Sequence, residues 1–436
     1  MKSSEGRIKF PGNQGRRVEA EFSAGGVTSD GGILMIREID RKIGLTAAVA
    51  EGIEDRREAG KRKHEVEGMV KQRVYGLMLG YEDVTDHNQV REDLGLRLAV
   101  GKEEKLASGP TLCRLEQQAS REVAWHIHRV MFEQLVKAHP KGMKQVVLDF
   151  DGTDDAVHGE QEGRGYNTYY GGYCFQPLYV FCGTQLLVSY LRPGKVDGAQ
   201  HAWAILALLV KALRRVWPGV EIVFRGDGGF CRPHLLEWCD RQGVKYVVGM
   251  AKNERLLRLN QDVIEQAKVQ FQTTQTKHRL FGECQYAAHS WQRERRLIVK
   301  AEHSADGANP RFVATNLKHD PETLYTLVYC ERGEMENRIK EQKLDLFAGR
   351  TSCHRWWPNQ LRLLWSSLAY ILMETLRRTI LVETELASAQ SGTIRLKLFK
   401  IGGVIVQTAS QVRFYLSSAY PWQSLFRQVA RRLCAS

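Results

Sequence analysis

Tyr329, Arg332, Glu336 and Lys343 fall at offsets 0, 3, 7 and 14 of one segment. At 100° per residue a helix gathers them within an arc of about 60°, beside an apolar stripe of Val328, Met335, Ile339 and Leu346. One carboxylate among an aromatic hydroxyl and two cations suits metal-bound phosphate: the carboxylate is a hard oxygen ligand and the cations meet phosphate oxygens. Two further acidic positions have matching chemistry. In Val146-Val147-Leu148-Asp149-Phe150-Asp151, strand alternation sends Val147, Asp149 and Asp151 to one face and Val146, Leu148 and Phe150 to the other. Carboxylates ending a buried strand are costly unless a cation or solvent meets them. Asp227 repeats the arrangement after the strand Val220–Arg225, among glycines that let a ligand come close.

Taken singly, each of these has a plainer account. An aspartate at a strand end commonly forms a turn or caps a helix, and Glu336 alone is one more helix-surface charge. Together, two strand-end aspartates and one helix-face glutamate supply the oxygen donors Mg²⁺ prefers. Two such ions, roughly 3.5–4 Å apart, can activate water and steady the leaving oxygen in phosphodiester cleavage.

The elements that must position these residues are readable from periodicity. Residues 1–140 read as mostly helical after a short extended start, with helical spacing near Gly32–Lys42, His64–Gly80 and Thr111–Lys137, the last with Ser108 or Thr111 as cap and Pro110 early. From Lys144 the pattern turns to strands: Gln145–Asp151, Tyr173–Phe181 and Gln185–Leu191, with a hairpin turn at Gly183-Thr184. A helix over Ala199–Val216, the strand Val220–Arg225, a helix over Pro233–Gln242 and a strand over Val244–Gly249 follow. This order predicts an α/β core on a mixed sheet. Short β-like pieces at Val269–Thr273, Glu283–His289 and Arg296–Lys300 predict a β-rich insertion over 253–317. The core resumes with Arg311–Thr315, the motif helix and an apolar helix over Asn359–Leu381. The expected divisions are therefore 1–140, 141–252, 253–317, 318–384 and a basic 385–436.

Composition bounds the rest. The chain has 436 residues, 43% of them hydrophobic, enough for packed cores. Lys and Arg number 63 against 50 acidic residues, a net charge of +13 that favours a polyanion such as nucleic acid as partner. From Thr351 onward eleven basic and three acidic residues carry +8 of that excess. The cluster Arg56–Lys63 could lie along a phosphate backbone, though most such clusters are solvated faces. Nine cysteines lack a Cys-x-x-Cys pair and are dispersed, which argues against a zinc finger or a disulfide framework and for a reducing compartment. The uncharged run Gly165–Leu191 is broken by Asn, Gly, Gln and Pro, so it reads as paired strands rather than a membrane span. With no secretory signal read from the sequence, a cytoplasmic location without a membrane partner is expected.

The motifs resemble the DDE transposases of bacterial insertion sequences, in the subgroup with a Tyr-x2-Arg-x3-Glu-x6-Lys signature, which Tyr329, Arg332, Glu336 and Lys343 match at every fixed position. Gly226-Asp227-Gly228-Gly229-Phe230 resembles the second-aspartate motif and Asp151-Gly152-Thr153 the first. Leu191-Arg192-Pro193-Gly194, Gly80-Tyr81-Glu82-Asp83, Asp86-His87 and Asn359-Gln360-Leu361-Arg362 are similar to the insertion-sequence family numbered thirteen-eighty, so the resemblance spans almost the whole chain. It implies a ribonuclease-H-like mixed-sheet core with a β-rich insertion, a helical N-terminal DNA-binding region and a basic C-terminal region. It further implies Asp151, Asp227 and Glu336 as catalytic, metal-binding residues for Mg²⁺, two ions with Mn²⁺ as substitute, and Tyr329, Arg332 and Lys343 as contacts to DNA phosphates. Asp149 faces the same way as Asp151 and is the alternative first ligand or a carboxylate supporting it; the following Gly-Thr favours Asp151.

The function implied is that of a bacterial transposase, nucleoid-associated when bound, which binds inverted-repeat ends in double-stranded DNA, cleaves them and joins 3′-hydroxyl ends to target DNA as a dimer or larger synaptic complex. A catalytically inactive DNA-binding relative and a metal-dependent nuclease without strand transfer are the alternatives. His158, His201 and His234 are weaker acid–base candidates, since metal-activated water needs none. Cys231 and Cys239 flank a packed helix and are assigned no chemistry. Trp356 and Trp357 suit core packing better than base stacking, and the basic tail after Arg395 is expected to touch DNA.

Overall fold

The computed structural model describes residues 7–58, 60 and 62–435. Two compact units are present: one runs from Ala119 to Ser367, and the other joins the segment up to Gln118 with the segment from Leu368. The expected separate C-terminal region is thus part of the same unit as the N-terminal segment.

The unit from Ala119 to Ser367 is built on one large mixed sheet. Its principal strands are β1 (Gln145–Gly152), β2 (Leu178–Cys182), β3 (Gln185–Tyr190), β4 (Glu221–Gly226), β5 (Lys245–Met250), β6 (His278–Tyr286), β7 (Arg295–Ser304) and β8 (Arg311–Thr315). They lie in the order β6-β7-β8-β5-β4-β1-β2-β3, with the two-residue strand Gly307–Ala308 paired to β7. β4 runs parallel to both β1 and β5, and the other pairings are antiparallel.

Alternation explains why the sheet is buried on two faces. Val146, Leu148 and Phe150 of β1 join Ile222, Phe224, Tyr246 and Val248 in one core cluster. Against that cluster pack the helix α1 (Ala202–Val216) and the helix α2 (Pro233–Gln242). α1 buries Ala202, Leu206, Leu209, Val210 and Leu213, the stripe a 3.6-residue period produces. The other face, with Val223, Val247, Ile298 and Val313, is covered by Leu324, Val328 and Tyr329. Asp149 and Asp151 belong to this second face, so the motif segment is folded directly over them.

Several predicted elements differ in detail. The single strand expected over Tyr173–Phe181 is two strands, Gly172–Phe175 and β2, separated at Gln176-Pro177, because Pro177 has no N–H to give a ladder. The helix expected over Thr111–Lys137 is two, Gly109–Glu116 and Arg121–Ala138; Ser120 Oγ accepts from Val123 N at 3.3 Å and starts the second. Val269–Thr273, expected as β, lies in the helix Gln261–Thr274. The strands of 253–317 are not a free-standing β subdomain: β6, β7 and β8 extend the central sheet through the β5–β8 pairing.

In the other unit a strand pair, Ile8–Asn13 with Arg16–Ala20, precedes helices at Ile33–Ile43, Val66–Leu79 and Leu94–Val100. Within the basic cluster Arg57 pairs with Asp55 at 2.6 Å, and Arg62 donates to the carbonyls of Arg57 and Asp55 at 2.9 and 2.8 Å. Those two cations hold their own loop together, while Ala59 and Lys61 lie outside the described residues.

Candidate active site

The parallel register of β1 and β4 sets the geometry. Asp149 pairs with Arg225 and Phe150 with Gly226, so the next residues along each strand are Asp151 and Asp227. Two aspartates from separate stretches of sequence therefore stand side by side at strand carboxyl ends. β1 continues along β2, with Asp151 opposite Tyr179, while the chain turns away after Asp227. Asp227 Oδ1 accepts from Gly229 N at 2.8 Å and caps the 3-10 turn Gly228–Phe230.

Asp149 is committed elsewhere. Arg225 Nη2 donates to its Oδ2 at 2.7 Å and Arg225 Nε donates to its Oδ1, both side chains being buried. Burial pushes the Asp149 carboxyl up against the pull of Arg225. Arg225 Nη1 also donates to the Val328 carbonyl, tying the motif segment to the sheet.

Asp151 faces different partners. Its Oδ1 accepts from Gly152 N at 2.9 Å, and its Oδ2 lies 3.4 Å from Arg332 Nη2. Arg332 Nη1 is 2.6 Å from Glu336 Oε1. One guanidinium thus joins the strand-end aspartate to the motif glutamate. Burial pushes the Asp151 carboxyl up to about 7; Arg332 opposes this, and the charges of Asp227 and Glu336 add to it. Like charges crowding a buried carboxylate are the situation a divalent cation relieves, and the donors are the hard oxygens such a cation takes. Asp151, Asp227 and Glu336 therefore fit Mg²⁺ as a donor set, although among the described residues no three acidic, His or Cys groups are drawn in to ligand spacing. Glu336, half exposed, forms the open rim.

The motif does not lie on one regular helix. Leu324–Tyr329 is wound as a π-turn, Cys330–Arg332 as a 3-10 turn and only Gly333–Asp345 as an α-helix, α3. The 60° arc assumed a constant 100° step, which wide and tight turns do not keep. What remains of the shared face is the i, i+4 pair Arg332–Glu336.

Tyr329 and Lys343 are placed by other contacts. The Tyr329 hydroxyl packs against β5 at Gly249, where an added Cβ would sit 2.6 Å from Tyr329 Oη, 2.9 Å from Gly228 N and 3.2 Å from the Asp227 carbonyl carbon. Burial raises the Tyr329 phenol above its ordinary value, so it stays protonated. Lys343 Nζ donates to Thr153 Oγ1 at 3.2 Å, Asp154 O at 2.8 Å and Asp154 Oδ1 at 3.0 Å. It clamps the residues just past Asp151 to α3.

Arg225, Asp154 and Gly249 were not singled out from sequence. Arg225 carried a signal: a cation within an apolar strand needs a buried carboxylate opposite. Gly249 and Asp154 carried none, because their roles depend on which segments meet. His158 and His234 are exposed, and His201 stands edge-on to Tyr190. Burial pushes the thiols of Cys231 and Cys239 up to about 11 and about 12, which leaves them unreactive. Trp356 packs edge-on against Phe175, a core role. Much of the basic tail is engaged internally: Arg395 donates to the Met78 and Leu77 carbonyls, Lys397 pairs with Glu385 and Lys400 with Asp30.

A cavity of about 400 Å³, lined by Asp240, Tyr246, Arg295 and Asn316 among others, includes none of the motif residues. No described helix is long and apolar enough to cross a membrane. No curated protein matches the sequence. Among solved structures the chain is similar to a cryo-EM structure of the piggyBac transposase synaptic complex with hairpin DNA, at 11% identity and a TM-score of 0.43 over 85% of this chain and 79% of that one. The family model described as Transposase DDE domain group 1 matches residues 10–436, nearly the whole sequence, and the chain belongs to that family.

Proposed function

We propose that the protein is a DNA transposase of the insertion-sequence type with the Tyr-x2-Arg-x3-Glu-x6-Lys signature, acting on the inverted-repeat ends of its own element in a bacterial cytoplasm. The observation that carries this reading is the meeting of Asp151 and Glu336 on the Arg332 guanidinium, with Asp227 beside Asp151 in register. Family membership supports it. The mixed sheet with the acidic strand β1 inside it, beside the parallel strand β4, supports a ribonuclease-H-like core.

In this reading Asp151, Asp227 and Glu336 would hold divalent cations, Mg²⁺ or Mn²⁺ in its place, which would supply Lewis-acid activation of water and neutralisation of the leaving oxygen. The protein's own residues prepare the site. Arg225 keeps Asp149 paired, so that Asp151 is the β1 aspartate left for the site. Lys343 fixes the Gly152–Asp154 turn and Asp227 is held by its Gly229 bond, so two ligands are preset. Arg332 neutralises Asp151 and Glu336 in the free protein, and its guanidinium would meet a DNA phosphate if cations held those carboxylates instead. The first cut frees a 3′-hydroxyl, which attacks a target phosphodiester in the same site. Each site serves one end, so a dimer or larger assembly brings two ends together.

The test is incubation with end-repeat DNA, a target plasmid and Mg²⁺, with Asp227→Asn alongside. Wild-type protein is expected to cut and join, and the variant to bind without cutting. Full cleavage by the variant would reject the triad; wild-type binding without cleavage marks an inactive relative, and cleavage without joining marks a nuclease.

A further inference from the structure

Immediately after Asp151 and Asp154, the chain forms a small three-stranded sheet in which Asp155–Ala156 pairs with Gly172–Phe175, which pairs in turn with Gly165–Asn167. The hairpin made by the last two strands carries Tyr166, Tyr169, Tyr170 and Tyr173, all exposed, Tyr169 by 87%. Tyr166 and Tyr173 are cross-strand partners with ring centroids 5.5 Å apart, and Tyr169 and Tyr170 sit at the tip, 4.9 Å apart and edge-on. The tip is fixed: Asn167 Oδ1 accepts from Tyr169 N at 3.0 Å and Tyr170 N at 3.3 Å, and Asn167 Nδ2 donates to the Gly194 carbonyl at 2.9 Å.

Such a cluster is not a packing device. Apart from one another, the rings meet Arg164, whose guanidinium lies 4.6 Å from the Tyr173 ring centre. Exposed aromatic surface on a rigid turn marks a binding face. Its chemistry selects the occupant: the hairpin Arg164–Phe175 carries four stackable rings and no acidic side chain of its own, while its one cation, Arg164, pairs with Glu160. The face is also continuous with the candidate active site, because the hairpin is paired to residues four past Asp151, and the charges of Asp154 and Asp151 reach Tyr170.

We infer that the Tyr166–Tyr173 hairpin is a stacking platform for unpaired DNA bases next to the phosphodiester being cut. Bases have π-faces whatever their identity, so four rings on one hairpin would hold a strand without reading its sequence. Unpaired strands held beside Asp151 would keep a freed end in place between cutting and joining. The inference rests on the transposase reading for its setting but not for its test.

The test measures binding of fluorescein-labelled single-stranded oligo(dT) and of a blunt duplex of equal length, without divalent metal, so that cutting plays no part. Tyr169→Ala and Tyr170→Ala are each expected to weaken single-strand binding about five-fold or more and to leave duplex binding unchanged. Tyr169→Phe, which keeps the ring, is expected to bind as wild type and guards against a folding artefact. Equal single-strand binding by wild type and both alanine variants would overturn the platform, as would equal losses on single strand and duplex, or a loss in the Phe variant matching that in Ala. Asp227→Asn is expected to bind oligo(dT) normally, so failure to cut DNA and failure to stack bases are read separately.

Discussion

Arg225 and Asp149 face each other across the parallel strands β4 and β1, two residues before the point where Asp227 and Asp151 emerge. A buried carboxylate on the same strand face as the candidate ligand is thereby matched with its own cation. Removing one partner of a buried pair leaves the other uncompensated, at about 3–5 kcal/mol. Arg225→Met is expected to lose that much in urea unfolding. The double variant Asp149→Leu/Arg225→Met should recover most of it, short of about 1 kcal/mol for the Val328 carbonyl that loses its donor. A double variant no more stable than Arg225→Met would show that the pair is not an isolated unit.

Arg332 and Lys343 separate by salt dependence. Arg332 bridges two carboxylates, and in the proposed function cations would claim those carboxylates and leave Arg332 for phosphate. Lys343 uses its ammonium on Thr153 and Asp154. Arg332→Ala is expected to reduce the slope of log affinity against log salt by about one for end DNA. Lys343→Ala is expected to leave that slope unchanged while lowering cleavage, through a loosened turn after Asp151. A slope reduced by about one in Lys343→Ala would instead assign Lys343 a direct phosphate contact.

Gly249 gives a steric test of how Tyr329 and Asp227 are fitted together. A methyl group there meets backbone on the Asp227–Gly228 side as well as the Tyr329 hydroxyl, and backbone cannot rotate aside. Gly249→Ala is expected to cost about 1–3 kcal/mol and to reduce cleavage. Gly249→Ala with Tyr329→Phe relieves only the hydroxyl contact, so it should restore part of the stability and little of the activity. Wild-type stability in Gly249→Ala would mean that the approach of these segments is looser than the structure has it.

The sequence was most legible where burial follows period. Val146, Leu148 and Phe150 alternate with Val147, Asp149 and Asp151, and the two sets lie on opposite faces of the sheet as alternation requires. It misled where two periods fit at once. In 261–274, Val269 and Phe271 alternate with glutamines like a strand, yet Val263, Ile264, Ala267 and Phe271 form a helical stripe; the helix forms, and Val269 is left half exposed. The motif offered residue types but not backbone: nothing in Leu324–Arg332 announces a π-turn followed by a 3-10 turn, because those depend on how the segment is laid over β4, β5 and β8. Between Asp149 and Asp151 the strand pattern was silent, since both face one way; the choice of partner lies in Arg225, one strand over.

Asp155 supplies a pH dependence outside the motif. Burial pushes its carboxyl up to about 7, with Asp154 adding to the effect and the Thr351 hydroxyl and Lys343 opposing it; Thr351 Oγ1 donates to its Oδ2 at 2.6 Å. An acid whose folded value is raised keeps its proton in the native state while the unfolded chain gives it up. Stability therefore falls as pH rises from about 4, the unfolded value, to about 7, and this contribution is constant outside that window. Three pH units correspond to a ceiling of about 4 kcal/mol. Asp155→Asn removes the titration and keeps an oxygen for Thr351. Its unfolding free energy relative to wild type is expected to improve steadily from pH 4.5 to pH 7.5. An unchanging difference across that range would show that Asp155 ionises in the native protein as readily as in the unfolded chain.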